Sequence, residues 1–221
     1  MELEKLIING TTQFSRSIAN LIKRENAARI IAFTTKGSLI DEQTIDGIPI
    51  IPFEDLSESF DSNNCKVLNT IGYSKMNALR EKVNKEIEQT GFRLYTFISN
   101  SASIYSDTIG QGSIIMPDVY IGSNVKIGHS CIIDAKSSLT HDIIIEDNVY
   151  VASGVIIGGN VVVGKNSFIG LGSTIKNKVH IASFTLVGCG SNVIRNISTS
   201  KMVVIGNPAH ELKGKESTHT F

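Results

Sequence analysis

The stretch "VYVASGVIIGGNVVVGKNSFIGLGSTI", Val149 to Ile175, decides the fold. An aliphatic residue returns at every sixth position: Val151, Ile157, Val163, Ile169 and Ile175. The same phase runs back to Ile109 and on to Val193 without a slip, and every residue on it is Ile, Val or Leu. Four places later in each hexad stands a small or β-branched residue, as at Ser113, Cys131, Val155, Ser167 and Ser191. Glycine often follows the aliphatic residue, as at Gly110, Gly128, Gly158 and Gly188.

A period of six suits neither an α-helix nor an alternating sheet. It marks a parallel β-helix of hexapeptides. Three short strands per turn give an eighteen-residue coil, with the aliphatic residues inward and the small residues filling the tight corners. Fifteen hexads make five coils. Each buried aliphatic side chain contributes about 1.5–3 kcal/mol, and successive coils pair at ~4.8 Å.

Before about Ser103 the pattern differs. "KLIIN", "ARIIAFT", "GIPIIPF", "CKVLNTIGY" and "FRLYTFIS" read as strands, and Pro49 and Pro52 suggest an edge or a strand end. "GTTQFSRSIANLIKREN" and "SKMNALREKVNKEIEQTG" read as helices, the second stopping at Gly91. Alternating strands and helices imply a mostly parallel, Rossmann-like sheet, which binds ligands beyond the carboxyl ends of its strands. The expected domains are residues 1–102, the β-helix over 103–198, and a C-terminal tail over 199–221.

The 221 residues carry 21 basic and 21 acidic side chains. A net charge of zero gives no general grip on nucleic acid or an anionic membrane. Cys65, Cys131 and Cys189 are scattered, with no CxxC pair, which fits a reducing cytosol. The opening Met-Glu-Leu-Glu-Lys lacks the order of a signal peptide, and no run suits a membrane span. The expectation is a cytoplasmic protein without membrane insertion.

The unbroken [LIV]-G-x-x-x-x repeat resembles the hexapeptide-repeat, left-handed β-helix acyltransferases. The Rossmann-like half and the ending "VVIGNPAHELK", Val203 to Lys213, narrow the resemblance to the sialic acid O-acetyltransferase family. That family includes bacterial N-acetyltransferases of nucleotide-linked amino sugars. "IGYSKMNALREK", Ile71 to Lys82, is similar to a stretch in a sugar-acyltransferase subgroup. The resemblance implies acetyl-CoA as co-substrate, a nucleotide-linked amino sugar from a surface polysaccharide or lipopolysaccharide pathway as acceptor, and a homotrimer. It implies no metal.

In the family the catalytic base is a histidine followed by an acid, shortly before a "DxVxIxxG"-like stretch. Here His141 and Asp142 precede "DNVYVASG". Imidazole can take a proton from the attacking amine or hydroxyl at neutral pH, and a neighbouring carboxylate favours its charged form. One coil on lies Gly159, which removes side-chain bulk and offers an amide to an oxyanion. The family has a matching glycine beside the thioester. Ser153, Leu171 and Cys189 form another column at the eighteen-residue step. The family threads pantetheine past matching positions, which implies Gly170, Leu171, Gly188 and Cys189 as acetyl-CoA contacts.

The chain departs from the pattern at several points. Tyr150 replaces a cofactor-side histidine, as a hydrogen-bond donor to acetyl-CoA. Thr140 stands where some members have an acid. The amino-terminal turn is "NGTTQFS", where sugar-nucleotide members read Gly-x-Gly-Gly-His, and Thr34 and Thr35 replace an acidic pair. The positions matching the sugar-nucleotide site are Gly10, Thr12, Gln13, Thr34, Gly72 and Tyr73; the other reading of all six is turn chemistry at strand ends. No GxGxxG is present, so NAD is not expected. The alternative within the class is a sugar O-acetyltransferase. From other classes come a zinc enzyme of the γ-carbonic anhydrase type, which needs three converging histidines, and a structural assembly module.

Overall fold

The computed structural model describes residues 3–219; the outermost residues of the expected first domain and tail, 1–2 and 220–221, lie outside it. The chain divides into two compact units. Among the described residues the first comprises 3–72 and 82–97, the second 73–81 and 98–219.

The first unit is a sheet with helices. Its strands are β1 (Lys5–Asn9), β2 (Arg29–Thr35), β3 (Thr44–Ile45), β4 (Ile48–Pro52), β5 (Cys65–Asn69) and β6 (Arg93–Leu94). They lie in the order β3-β4-β2-β1-β5-β6, all neighbours parallel except β3 and β4. β1 is buried from Leu6 to Asn9, as a strand covered on both faces must be. Helix α1 (Gln13–Glu25) starts where Thr12 accepts the Ser15 amide, and ends at Asn26 in the left-handed conformation with φ 50°. Its Ile18 and Ile22 are buried. A short helix, α2 (Leu56–Ser59), and the part of α3 (Ala78–Gln89) from Lys82 on complete its helices. Ile7, Ala32, Leu56, Val67, Ile87 and Phe92 share one core.

Three local expectations need correction. Of the two readings of the prolines, the edge fails, because β3 folds back on β4 as an antiparallel hairpin, while the strand end holds for Pro52, the last residue of β4. "FRLYTFIS" is not one strand: it divides into Arg93–Leu94 and Phe97–Ile98. The second long helix starts at Ala78 rather than at Ser74, because Lys75, Met76 and Asn77 all have φ between 50° and 63°.

The second unit is the β-helix. Its repeat strands from Thr108–Ile109 to Asn192–Val193 are two residues long, and successive ones on a face pair in parallel eighteen residues apart; Ser103–Ile104 pairs with Tyr120–Ile121 at seventeen. The first face runs Ile114–Ile115, Ile132–Ile133, Tyr150–Val151, Phe168–Ile169 and Leu186–Val187. The second runs Tyr120–Ile121, Ser138–Leu139, Ile156–Ile157, Thr174–Ile175 and Asn192–Val193. The third runs Thr108–Ile109, Lys126–Ile127, Ile144–Ile145, Val162–Val163 and His180–Ile181. The repeat-phase aliphatics and the β-branched residues between them, Ile121, Val125, Ile127, Leu139, Val155 and Ile157 among them, form one continuous core. Met202–Ile205 extends the first face in parallel from Leu186–Val187, and His210–Glu216 returns antiparallel to it.

The turns carry a second regularity. Asn124, Ser130, Asp142, Asn148, Asn160 and Asn166 all have φ near +60°. Short polar side chains tolerate that conformation best, which is why Asn and Asp recur at these corners.

Segment 73–81 packs on the β-helix within this unit. The Arg80 guanidinium is buried and donates to the carbonyls of Ser130 (3.1 Å) and Asn148 (2.9 Å) and to Asn77 Oδ1 (3.1 Å). Burial lowers its pKa to about 10, which leaves it charged at neutral pH.

Candidate active site

His141 sits on the corner between the second and third faces. Thr140 N donates to the Ile157 carbonyl, and the His141 carbonyl accepts the Asn160 amide, so the coil above fixes the backbone on both sides. Asp142 takes the left-handed turn position with φ 53°, its amide on the Ser123 carbonyl of the coil below. This directs the two adjacent side chains to one another: His141 Nδ1 lies 2.8 Å from Asp142 Oδ2. A carboxylate can only accept, so Nδ1 carries the proton, and in the neutral ring Nε2 is left with its lone pair. The bond to His141, and after it one from Asn124, hold the Asp142 carboxyl below the ordinary carboxylate range. Both side chains remain open, at 52% and 45% exposure.

Gly159 lies one coil above, against the imidazole. A Cβ there would stand 2.3 Å from His141 Cε1 and 2.5 Å from Nε2. Any side chain would therefore displace the ring. The Gly159 carbonyl accepts the Lys178 amide, while its own amide makes no hydrogen bond to any described residue. Two stacked turns thus hold a base with a free nitrogen, an acid that fixes its tautomer, and an unspent backbone donor. Those are the parts acyl transfer requires.

The other residues named from the sequence fall into separate places. Gly170, Leu171, Gly188 and Cys189 come together on the corner between the first and second faces. There the Gly190 amide donates to the Leu171 carbonyl, and both Leu171 and Cys189 are exposed. The second face separates that corner from the one carrying His141. Tyr150 is buried on the first face. Its ring meets those of Tyr73 (centroids 5.7 Å apart) and Phe168 (5.4 Å), and its hydroxyl lies 3.5 Å from Asp134 Oδ2. Burial, then the Asp134 charge, raise its pKa further above the ordinary phenol range. Cys131 is core, its thiol pushed up to about 12 by burial.

Gly10, Thr12, Gln13, Thr34 and Gly72 belong to the first unit, and Tyr73 to the second. Gly10 has φ +123°, and a Cβ there would meet Ser15 Oγ at 2.6 Å and Thr70 Oγ1 at 2.7 Å, so glycine is required. The turn closes on buried hydrogen bonds: Thr70 Oγ1 to Ser15 Oγ (2.8 Å) and to the Asn9 carbonyl (2.8 Å), and Asn9 Nδ2 to Asn69 Oδ1 (3.0 Å). Thr34 Oγ1 is buried at the carboxyl end of β2 with no hydrogen-bond partner among the described residues.

Asn124, Arg80 and Asp134 are polar residues of the second unit that sequence reading did not single out. For Asn124 a signal existed: it stands eighteen residues before Asp142, the step that had located Gly159. Among the described residues no group of three or more His, Cys, Asp or Glu is placed to share a metal ion.

Residues 108–141 match the family model described as the bacterial transferase hexapeptide, six repeats. WeeI from Acinetobacter baumannii AYE is 26% identical over 94% of this chain and 99% of its own, with a TM-score of 0.83. This chain has the fold of the left-handed β-helix, hexapeptide-repeat acetyltransferases. The acetyltransferase domain of PglB from Neisseria gonorrhoeae FA1090, in complex with acetyl coenzyme A, is 22% identical with a TM-score of 0.85, covering 95% of this chain and 100% of that one. A mutant of perosamine N-acetyltransferase from Caulobacter crescentus, in complex with CoA and GDP-perosamine, is 23% identical with a TM-score of 0.86, covering 96% and 97%. The similarity therefore spans both units of the chain. No helix among the described residues is long and apolar enough to cross a membrane.

Proposed function

We propose that the protein is an acetyl-CoA-dependent N-acetyltransferase acting on the amino group of a nucleotide-linked sugar. The observation that carries the reading is the His141–Asp142 pair seated on Gly159, in a fold shared with acetyltransferases that bind acetyl coenzyme A or GDP-perosamine.

His141 Nε2 takes a proton as the acceptor amine attacks the thioester carbonyl carbon. Asp142 holds the ring through Nδ1–H and stabilises the imidazolium that forms. The Gly159 amide donates to the oxyanion of the tetrahedral intermediate. When the C–S bond breaks, His141 returns its proton to the departing thiolate. The free thiol and the acetamide leave with all charges balanced.

Gly170, Leu171, Gly188 and Cys189 hold the pantetheine arm in this reading, with Tyr150 as a wall. Gly10, Thr12, Gln13, Thr34, Gly72 and Tyr73 hold the nucleotide sugar. A homotrimer belongs to the same proposal. Tyr120 and Ile156 on the second face, and Tyr105 and Leu171 on its flanking corners, are exposed apolar side chains that a second copy would cover. That copy would also bring a cofactor corner to a histidine corner. Cytoplasmic location and a role in surface polysaccharide synthesis complete the reading.

The test is incubation with acetyl-CoA and a panel of nucleotide-linked amino sugars, reading product mass. One sugar gaining one acetyl group, stable to mild base as an amide is, supports the proposal. A base-labile acetyl group would make the protein an O-acetyltransferase, and no transfer to any sugar would refute acetylation of this substrate class.

A further inference from the structure

His141 and Asp142 are both open to solvent, and an exposed carboxylate on a short side chain rotates freely unless something holds it. One group in the structure does. Asn124, one coil below, donates from Nδ2 to Asp142 Oδ1 at 3.1 Å, while Oδ2 of the same carboxylate faces His141 Nδ1. The two oxygens are thus assigned separate partners, and the plane of the carboxylate is fixed. The geometry points to Asn124 as a positioning residue for the acetyl transfer: its amide clamps Asp142 so that Oδ2 stays on His141 Nδ1. This inference rests on the reading of His141 as the base.

The placement follows from the coil. Asn124 and Asp142 occupy the same turn position in successive coils, with φ 57° and 53°, so their side chains leave the corner in register. The stacking step makes the contact without any long-range loop. Both residues line an open groove with Tyr105, Asp107, Lys126 and Ile144. Asp107 and Lys126 are the other charged groups of that groove, and among the described residues the ion pair of Asp142 is with His141, not Lys126.

The clamp acts through the tautomer. With Asp142 held on Nδ1, the neutral ring keeps its proton there and presents the Nε2 lone pair. With Asp142 free to turn, the ring also populates the Nε2–H form, which cannot accept a proton from an amine at that nitrogen. The loss falls on kcat rather than on the KM for acetyl-CoA, because Asn124 is placed to touch the carboxylate and not the ligand. A hydrogen bond to a charged group, lost at an open site, predicts a fall in kcat of about tenfold.

Asn124→Gly removes the amide and costs no strain at a left-handed position. Asn124→Asp keeps the left-handed preference but exchanges the donor for a second carboxylate. The full chain of each variant is assayed for kcat and KM, and the 15N imidazole resonances of His141 are recorded. The expected result is a kcat loss of about tenfold or more in both variants, an unchanged KM for acetyl-CoA, and a rise in the Nε2–H tautomer. A turn-forming role alone would leave both variants near native activity and the tautomer unmoved, which would overturn the inference. The resonances remain readable without turnover. If His141→Ala keeps full transfer, the base assignment fails. If His141→Ala is inactive while both Asn124 variants match the native protein, only the Asn124 inference falls.

Discussion

Gly159→Ala puts the account of the site under its sharpest strain. The glycine does not occupy a left-handed conformation, so alanine is allowed by the backbone. The added Cβ would stand 2.3 Å from His141 Cε1, where ordinary contact begins at 3.4 Å. The ring must therefore retreat by about 1.1 Å, the difference between those two distances. It can do so, because half of the side chain faces solvent. The cost in stability is small for that reason. A misplacement of about 1 Å at a reacting group costs on the order of 10²-fold in rate. The assay is steady-state transfer to whichever amino sugar the panel identifies, with thermal melting run in parallel. The reasoning predicts a native-like melt, an unchanged KM for acetyl-CoA and kcat lowered about 100-fold. Because the Gly159 amide survives in alanine, the loss reports ring position alone. Native kcat in this variant would show that the imidazole against Gly159 is not the working base.

Other outcomes follow from the same coordinates. Cys65 and Cys131 are buried and Cys189 is exposed, so a thiol reagent modifies one thiol quickly in the native protein. Acetyl-CoA slows that reaction if the Leu171–Cys189 column holds pantetheine, and no protection would remove the column from the site. Ile157→Ala empties a fully buried position in the β-helix core and lowers unfolding stability by about 2–5 kcal/mol in urea titration. The Asp142 carboxyl is depressed by His141 and then Asn124, so the stability it supplies is present above the ordinary carboxylate range and lost as pH falls through its lowered value. The small Tm gap between the native protein and Asp142→Asn accordingly holds above about pH 4 and closes below it.

The β-helix was legible because its period is set by geometry that admits little else. An aliphatic residue every six positions places Ile121, Leu139, Ile157 and Ile175 one above another, and the structure pairs their strands at that step. The same arithmetic located Gly159 over His141. Run downward, it also finds Asn124 under Asp142, a contact that reading in one direction missed. Tyr150 was harder to read. It holds an outward position, and nothing local says that Tyr73, far away in sequence, packs on its ring. A hint lay in its column, where Ile114, Ile132, Phe168 and Leu186 are all apolar and all buried. The turn at Lys75–Asn77 was hidden for another reason: lysine and methionine carry no preference for φ > 0, so the packing of segment 73–81, with Arg80 on the carbonyls of Ser130 and Asn148, imposes what the residues do not announce.

The most direct measurement is kcat of His141→Ala on the acceptor sugar, beside its circular dichroism and acetyl-CoA affinity. An outward imidazole on a rigid corner predicts an intact fold, retained acetyl-CoA binding, and kcat lowered by about 10²- to 10⁴-fold. Native turnover in a correctly folded variant would contradict the assignment of His141 as the base.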